Sequence, residues 1–397
     1  MRLRFSPAIA RGRIQAPPAK SIAHRLLICA ALSGGSVTGA ETSGDIAATL
    51  RCLRALGART ECEGAQIRFL TDRLSAGATP LDCGESGSTL RFLFPLAMGQ
   101  KPVTFCGSGR LMERPFSVYE DICREQGLPL VRRGDTLTVC GPLRPGVFSV
   151  PGDISSQFVT GLLLALPLRE RDSEIHLTTA LESAEYVALT RQAQARFGVV
   201  SHWQSERQLV IPGGQRYQPA EVAVEGDESN AAFFAGLNLL GGSVTVENMN
   251  PNSIQPDKRY KEYFPLLEKG APELEISQCP DLAPVLMALA AAKNGARLKG
   301  THRLRYKESD RGAAMAQELA KLGVSCTLKE NDIRIPGGAL QAPQLPLLGH
   351  GDHRIVMALS LLLSRTGGVL EGAEAVEKSC PRFFIMLRQL GLEVEEL

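Results

Sequence analysis

Residues 20–38, KSIAHRLLICAALSGGSVT, decide the fold. A polar opening, Lys20-Ser21, leads into a helix-length run that is apolar nearly all round, and a glycine turn with a β-branched run comes after it. A helix apolar on every face belongs in a core, so its polar contacts are confined to its ends. The same unit recurs five more times. The other openings are Glu85-Ser86-Gly87-Ser88, Ser155-Ser156-Gln157, Asp227-Glu228-Ser229, Pro280-Asp281 and Asp352-His353-Arg354. They lead into TLRFLFPLAM (89–98), FVTGLLLALP (158–167), NAAFFAGLNLL (230–240), LAPVLMALAAA (282–292) and IVMALSLLLS (355–364). Helix starts carry unpaired N–H groups and the positive end of the macrodipole, so several starts facing one cleft make an anion site.

Each copy also predicts a second, amphipathic helix that closes on a glycine and a strand, as in TLRCLRALGA, VYEDICREQGLPL, LTRQAQARFGVV, YFPLLEKGA, MAQELAKLGV and FIMLRQLGLEV. The expected fold class is therefore α/β, in two lobes of three βαβαββ-like copies. Residues 19–225 form one lobe, and residues 226–397 with an N-terminal strand in 1–18 form the other. The strand RLRFSPA precedes the stiff connector Ala16-Pro17-Pro18, so the chain crosses twice between lobes and a hinge is expected there.

Composition narrows the class of function. The chain has 397 residues, 44% of them hydrophobic, enough for two real cores. No apolar run reaches the length of a membrane span, and the first residues lack a signal-peptide core, so a cytoplasmic protein is expected. Ten cysteines include no CxxC pair, which speaks against a zinc site or a disulfide framework. A net charge of +2 with one Trp speaks against a nucleic-acid surface.

The chemistry-bearing residues lie at the helix openings. Lys20, His24 and Arg25 fall within one turn, and Arg25 would sit among Leu and Ile unless it reached an anion or a carboxylate. Gly87 allows close backbone approach, with Arg91 one turn on. Arg110 and Arg114 share a loop, Ser155, Ser156 and Gln157 offer two hydroxyls and an amide, and Lys378 lies in EKSCP. Lys307, Glu308, Asp310 and Arg311 crowd the start of an amphipathic helix, where a solvated charge cluster is the plain alternative. Asp281 is a candidate cap as well as a candidate catalytic carboxylate. Asp352, His353 and Arg354 put an imidazole and a permanent cation at a helix start; His350 and His353 lack a third metal ligand. This gathering of cations in a nearly neutral protein fits small polyanionic substrates, and no phosphate loop or dinucleotide fingerprint is present.

In order along the chain, AKSIAHR, GESGSTLR, GRLMERP, ISSQFVTGLL, EGDESNAAFF, PDLAPVLMALA, RYKESDR, GDHRIVMAL and EKSCPRFF make the chain resemble the 5-enolpyruvylshikimate-3-phosphate synthase family. The resemblance covers essentially the whole sequence. It implies a two-lobed inside-out α/β barrel with the helices inside, and enolpyruvyl transfer from phosphoenolpyruvate to the 5-hydroxyl of shikimate 3-phosphate with no metal and no cofactor. It also implies small-molecule substrates only, with no nucleic acid, no membrane and a monomer as the working state.

By that resemblance Asp281 is the base and Glu308 the acid, with Lys20 and His353 also catalytic candidates. Shikimate 3-phosphate contacts would be Lys20, Ser21, Arg25, Ser155, Ser156, Gln157, Ser183, Asp281 and Lys307. Phosphoenolpyruvate contacts would be Lys20, Gly87, Arg114, Gln157, Arg311, Arg354 and Lys378. Lys307 and Arg311 near Glu308 favour an ionised carboxyl, so Lys20 and Lys378 stand as alternative donors. Many family members read GNAGTAMRP where this chain has GESGSTLRF, so glyphosate sensitivity does not carry over. Nor does a substrate contact at Arg303, where some relatives have Asn. The related transferase acting on a UDP-amino sugar typically has a reactive Cys before its Arg-Pro, which RLMERP lacks. A non-catalytic polyanion-binding protein is the alternative from another class.

Overall fold

The chain folds into two compact units, Pro18–Glu225, and Met1–Pro17 with Gly226–Leu397. The computed structural model describes residues 1–75, 77 and 79–397. In the contiguous unit the helices are α1 (Lys20–Ala31), α2 (Gly44–Ala55), α3 (Gly87–Ala97), α4 (Ser117–Glu125), α5 (Ser156–Ala165) and α6 (Ala184–Arg196). The other unit holds α7 (Glu228–Leu239), α8 (Tyr260–Lys269), α9 (Ala283–Ala292), α10 (Arg311–Lys321), α11 (His353–Thr366) and α12 (Phe383–Gln389).

The odd-numbered helices α1 to α11 are those read as buried, and they lie inside. Every residue of α9 from Ala283 to Ala291 is buried, as is every residue of α11 from His353 to Ser364. Each unit has one continuous apolar core built on its three buried helices. Sheets cover the outside, so their strands alternate buried and open positions, as in Val147–Val150. The architecture is the inside-out α/β barrel expected from the sequence.

One copy shows how a sheet arises from the repeat. Leu81–Asp82 runs parallel to Val103–Cys106 across the crossover helix α3. After α4, the hairpin Leu130–Arg133 and Thr136–Val139 adds antiparallel, with Val103 opposite Val139. Four of the other copies repeat this four-stranded order, and some borrow a strand from a distant part of the chain. Glu221–Ala223 closes the sheet of the α1 copy, and Arg2–Phe5 lies between Gly368–Glu371 and Val394–Glu396 in that of the α11 copy.

The α7 copy differs from the sequence expectation. Its sheet has two strands, Arg11–Gln15 and Ser243–Glu247, and no closing hairpin. The cause is local. Helices α2, α4, α6 and α10 each end on a glycine in the left-handed region, Gly57, Gly127, Gly198 and Gly323, which turns the chain back into the hairpin, and Gly391 after α12 likewise turns it into the single strand Val394–Glu396. Gly270, after α8, is extended instead (φ 173°), and the chain runs directly into Glu273–Glu275 of the next sheet.

Helices α3 and α5 approach most closely at Gly161. A Cβ there would fall inside the van der Waals envelope of the Arg91 carbonyl and the Tyr119 hydroxyl. That hydroxyl donates to Arg91 O at 2.8 Å. Gly161→Ala is expected to lower unfolding free energy by about 1–3 kcal/mol through overpacking, despite the better helix propensity of Ala. Denaturant midpoints of the two proteins check this; an unchanged or raised midpoint would show that the contact relaxes freely.

Candidate active site

The site residues named from the sequence fall on both units, and each unit holds its share at the starts of its own buried helices. In the contiguous unit, Lys20 opens α1, and its ammonium pairs with Asp45 in the first turn of α2 at 2.7 Å. Arg25 is buried one turn along. Its guanidinium donates to Thr190 Oγ1 at 2.8 Å, to Tyr186 O at 3.0 Å and to Ser21 O, and lies over the Phe92 ring. Within the protein no carboxylate holds it; neutral hydroxyls and carbonyls do. Burial pushes this guanidinium down to about 10.

The α3 and α5 starts adjoin. Ser86 caps α3 by accepting from Thr89 N, and Ser155 caps α5 by accepting from Gln157 N. The Gln157 amide donates to Ser88 Oγ at 3.1 Å and accepts from Arg91 Nη1 at 2.6 Å. Gly87 lies against this group. A Cβ there would stand 3.0 Å from both the Arg91 and the Arg114 guanidinium and 3.4 Å from Gln157 Oε1. A bare Cα leaves the two cations and the amide room at this helix start without displacing them. Ser183, before α6, holds a left-handed backbone (φ 58°), a strained state that clusters at functional sites. Glu85 is turned toward Gly109 of the next loop.

In the other unit the centre is Arg311, at the first position of α10 and 1% exposed. It donates to Asp281 Oδ1 at 2.7 Å, to Glu308 Oε2 at 2.9 Å and to Asp352 Oδ2 at 2.9 Å. Burial alone would pull the guanidinium down, but Asp352, Glu308 and Asp281 together raise it, so it stays a cation. Asp352 caps α11 by accepting from Arg354 N, and also accepts from Ser309 Oγ at 3.0 Å.

Asp281 does not cap a helix. It lies in the short turn Pro280–Leu282 before α9, 24% exposed, with Lys307 Nζ at 3.1 Å and Arg354 Nη2 at 3.7 Å from its oxygens. Burial pushes its carboxyl up, but Lys307, Arg311 and Arg354 hold it well below the usual carboxylate range. Burial likewise pulls Lys307 below its ordinary value, with Asp281 opposing. Glu308 precedes α10 rather than lying in it, as do Lys307 and Ser309, and the face shared by Glu308 and Arg311 comes from a turn. Arg354 reaches Asn230 at the α7 start at 3.4 Å. His353 is buried beside Asp352, and Lys378 donates to Gly351 O at 2.6 Å.

Residues of these surroundings not named from the sequence as site residues include Asp45, Tyr186, Thr190, Asn230 and Ser309. Asp45 had a readable signal, an acid in the first turn after Ser43-Gly44, but its pairing with Lys20 is tertiary. Among the described residues no group of three or more His, Cys, Asp or Glu is placed to hold a metal ion, and no helix is long and apolar enough to cross a membrane.

Each unit thus gathers cations at the starts of its buried helices, and comparison with known proteins shows the family. The sequence pattern described as EPSP synthase (3-phosphoshikimate 1-carboxyvinyltransferase) matches residues 7–268 and 258–387. The 3-phosphoshikimate 1-carboxyvinyltransferase of Clostridium kluyveri is 38% identical over 99% of this chain and 98% of its own length. That of Clostridium perfringens is 36% identical over 98% and 97%. A solved structure of EPSP synthase from Acinetobacter baumannii, 22% identical, covers 100% of both chains with a TM-score of 0.79, a likeness of fold. The chain belongs to the EPSP synthase family.

A buried histidine gives this site a pH signature. His24 Nδ1 lies 2.7 Å from Thr49 Oγ1, while its Nε2 has no hydrogen-bond partner among the described residues. Burial, then Lys20 and Arg25, hold the imidazole well below its ordinary 6.5, so the folded protein keeps it neutral. The unfolded chain takes up a proton near 6.5 that the folded chain does not, so stability is present above that pH and lost as pH falls below it. The slope is at most about 1.4 kcal/mol per pH unit for one proton. His24→Asn should flatten the stability profile measured between pH 7.5 and 5.5; a profile parallel to the parent's would remove His24 as the cause.

Proposed function

We propose that the residues gathered at these helix starts carry the reaction of the family. The enzyme transfers the enolpyruvyl group of phosphoenolpyruvate to the 5-hydroxyl of shikimate 3-phosphate and releases phosphate, a step of the shikimate pathway toward chorismate and the aromatic amino acids. The observation that carries the residue assignment is the partly open Asp281 carboxylate, held among Lys307, Arg311 and Arg354.

In this reading Asp281 accepts the 5-hydroxyl proton. With three cations around it the carboxylate is a weak acceptor as it stands. Substrate phosphate and carboxylate groups that draw Lys307, Arg311 and Arg354 toward themselves would loosen that hold and raise its basicity. Glu308, 15% exposed and hydrogen-bonded to Arg311, delivers a proton to the methylene carbon, with Lys20 and Lys378 as the alternative donors. The 5-oxygen bonds to the phosphate-bearing carbon, and the resulting tetrahedral intermediate then loses phosphate and one proton of its new methyl group, which restores the double bond. His353, buried beside Asp352 at the α11 start, is a further catalytic candidate in this reading.

Lys20, Ser21, Arg25, Ser155, Ser156, Gln157, Ser183, Asp281 and Lys307 are assigned to shikimate 3-phosphate. Lys20, Gly87, Arg114, Gln157, Arg311, Arg354 and Lys378 are assigned to phosphoenolpyruvate. Support comes from the chemistry of the sets: capping serines and a buried guanidinium for a phosphomonoester, Arg forks beside a bare glycine for a small phosphate-carboxylate. We also read the protein as a cytoplasmic monomer without nucleic-acid partners, which a net charge of +2 and free thiols throughout support.

Phosphate release on mixing both substrates tests the reading. Asp281→Asn and Glu308→Gln should each lower kcat by about 10²–10⁴-fold, the range of a lost general acid or base, while both substrates still bind by calorimetry. An effect confined to KM would assign the residue to binding instead. Retained turnover in Asp281→Asn would remove the base.

A further inference from the structure

Glu318 is a buried carboxylate on α10 with no part in the enolpyruvyl transfer. It is fully enclosed, yet both oxygens are satisfied. Oε1 lies 2.8 Å from His350 Nε2, and Oε2 accepts from Lys321 Nζ at 2.7 Å and from Leu348 N at 2.9 Å. Lys321 donates in addition to Pro346 O at 3.0 Å. Burial pushes the carboxyl up, but His350, Lys321 and the Leu348 N–H hold it below its ordinary range, so it is an anion.

Every one of these bonds runs, directly or through Lys321, to residues 346–350, the segment that leads into the α11 start. A buried ion cluster is a poor source of stability compared with apolar packing, so its value lies in what it fixes. What it fixes is a tight turn: His350 holds a left-handed backbone (φ 50°), uncommon among non-Gly residues though one that His, like Asn and Asp, adopts more readily than most. Through Gly351 the chain then turns so that Asp352 enters the Arg311 fork and caps α11. Arg311 and Glu318 are seven positions apart, two turns of α10, and so share one helix face. One face of α10 therefore grips the loop at two points, Asp352 by Arg311 and His350 by Glu318.

We propose that Glu318, through His350, is a positioning residue for phosphoenolpyruvate binding: it holds the 349–352 turn in the shape that aims Arg354. The inference rests on the assignment of Arg354 to phosphoenolpyruvate, and its test is arranged to separate the two. Arg354 lies on the first turn of α11, so a shift of the turn below it moves the guanidinium, and a displacement near 1 Å at a substrate contact is felt strongly.

The experiment is steady-state kinetics on the full chain with Glu318→Gln, His350→Asn, the double variant and Arg354→Lys. Asn tolerates the left-handed backbone but is too short to reach Glu318. Expected is a rise in the phosphoenolpyruvate KM of about five- to thirtyfold in each single variant, the scale of a lost hydrogen bond to a charged group. The shikimate 3-phosphate KM should stay within about twofold, and the double variant should be less than additive because both act by one route. A phosphoenolpyruvate KM unchanged in His350→Asn, or both KM values raised alike with a fall in melting temperature, overturns the positioning role while Arg354→Lys still raises that KM. If Arg354→Lys itself leaves the phosphoenolpyruvate KM unchanged, the assignment of Arg354 fails and this inference with it.

Discussion

The guanidinium of Arg311 ties together three segments that are far apart in sequence. Asp281 precedes α9, Glu308 precedes α10 and Asp352 caps α11, and all three carboxylates meet on this one buried cation. Removing a partner from such a cluster leaves an uncompensated charge in the interior, which typically costs about 3–5 kcal/mol. The apolar helices themselves interlock by shape, as at Gly161 of the contiguous unit, where no methyl fits between α3 and α5. Charge geometry at the ends adds a second constraint, fixing the three segments that carry Asp281, Glu308 and Asp352 against one another.

The contiguous unit solves the same problem with neutral groups. Arg25 binds hydroxyls and carbonyls of α5, α6 and its own helix, and Gln157 bridges the α3 and α5 starts. A guanidinium satisfied by neutral partners keeps its full positive charge available to a bound anion. In the Arg311 cluster the carboxylates offset most of the charge. An anion at Arg25 thus meets a cation with no resident carboxylate partner, whereas at Lys20 and in the Arg311 cluster it competes with resident carboxylates.

Much of this was legible in residues such as SIAHRLLICAALS, because an all-apolar helix with a polar opening admits few placements other than a core helix with an exposed start. Family motifs carried the assignment of roles that local pattern left open. Tertiary partners were not legible. Asp281 looked like a cap and instead faces Lys307 and Arg311; Arg25 looked in need of a carboxylate and found threonines. The missing hairpin after α8 was overlooked because LLEKGA resembles its counterparts, yet the spacing carried the signal. Gly270 stands 10 positions before Pro280, whereas Gly57, Gly127, Gly198 and Gly323 stand 28 or 29 before Ser86, Ser155, Asp227 and Asp352, so only Glu273–Glu275 fits between.

The strand Arg2–Phe5 sits in mid-sheet between Gly368–Glu371 and Val394–Glu396. Arg2–Phe5 therefore finds its partners only after residues 368–396 have been made. Residues 18–225 have every strand of their sheets within their own span, so they can complete their core during synthesis. The leading segment waits meanwhile as an unpaired strand, and its alternating arginines, Arg2 and Arg4, are the kind of charge that keeps a waiting strand from pairing with the wrong edge.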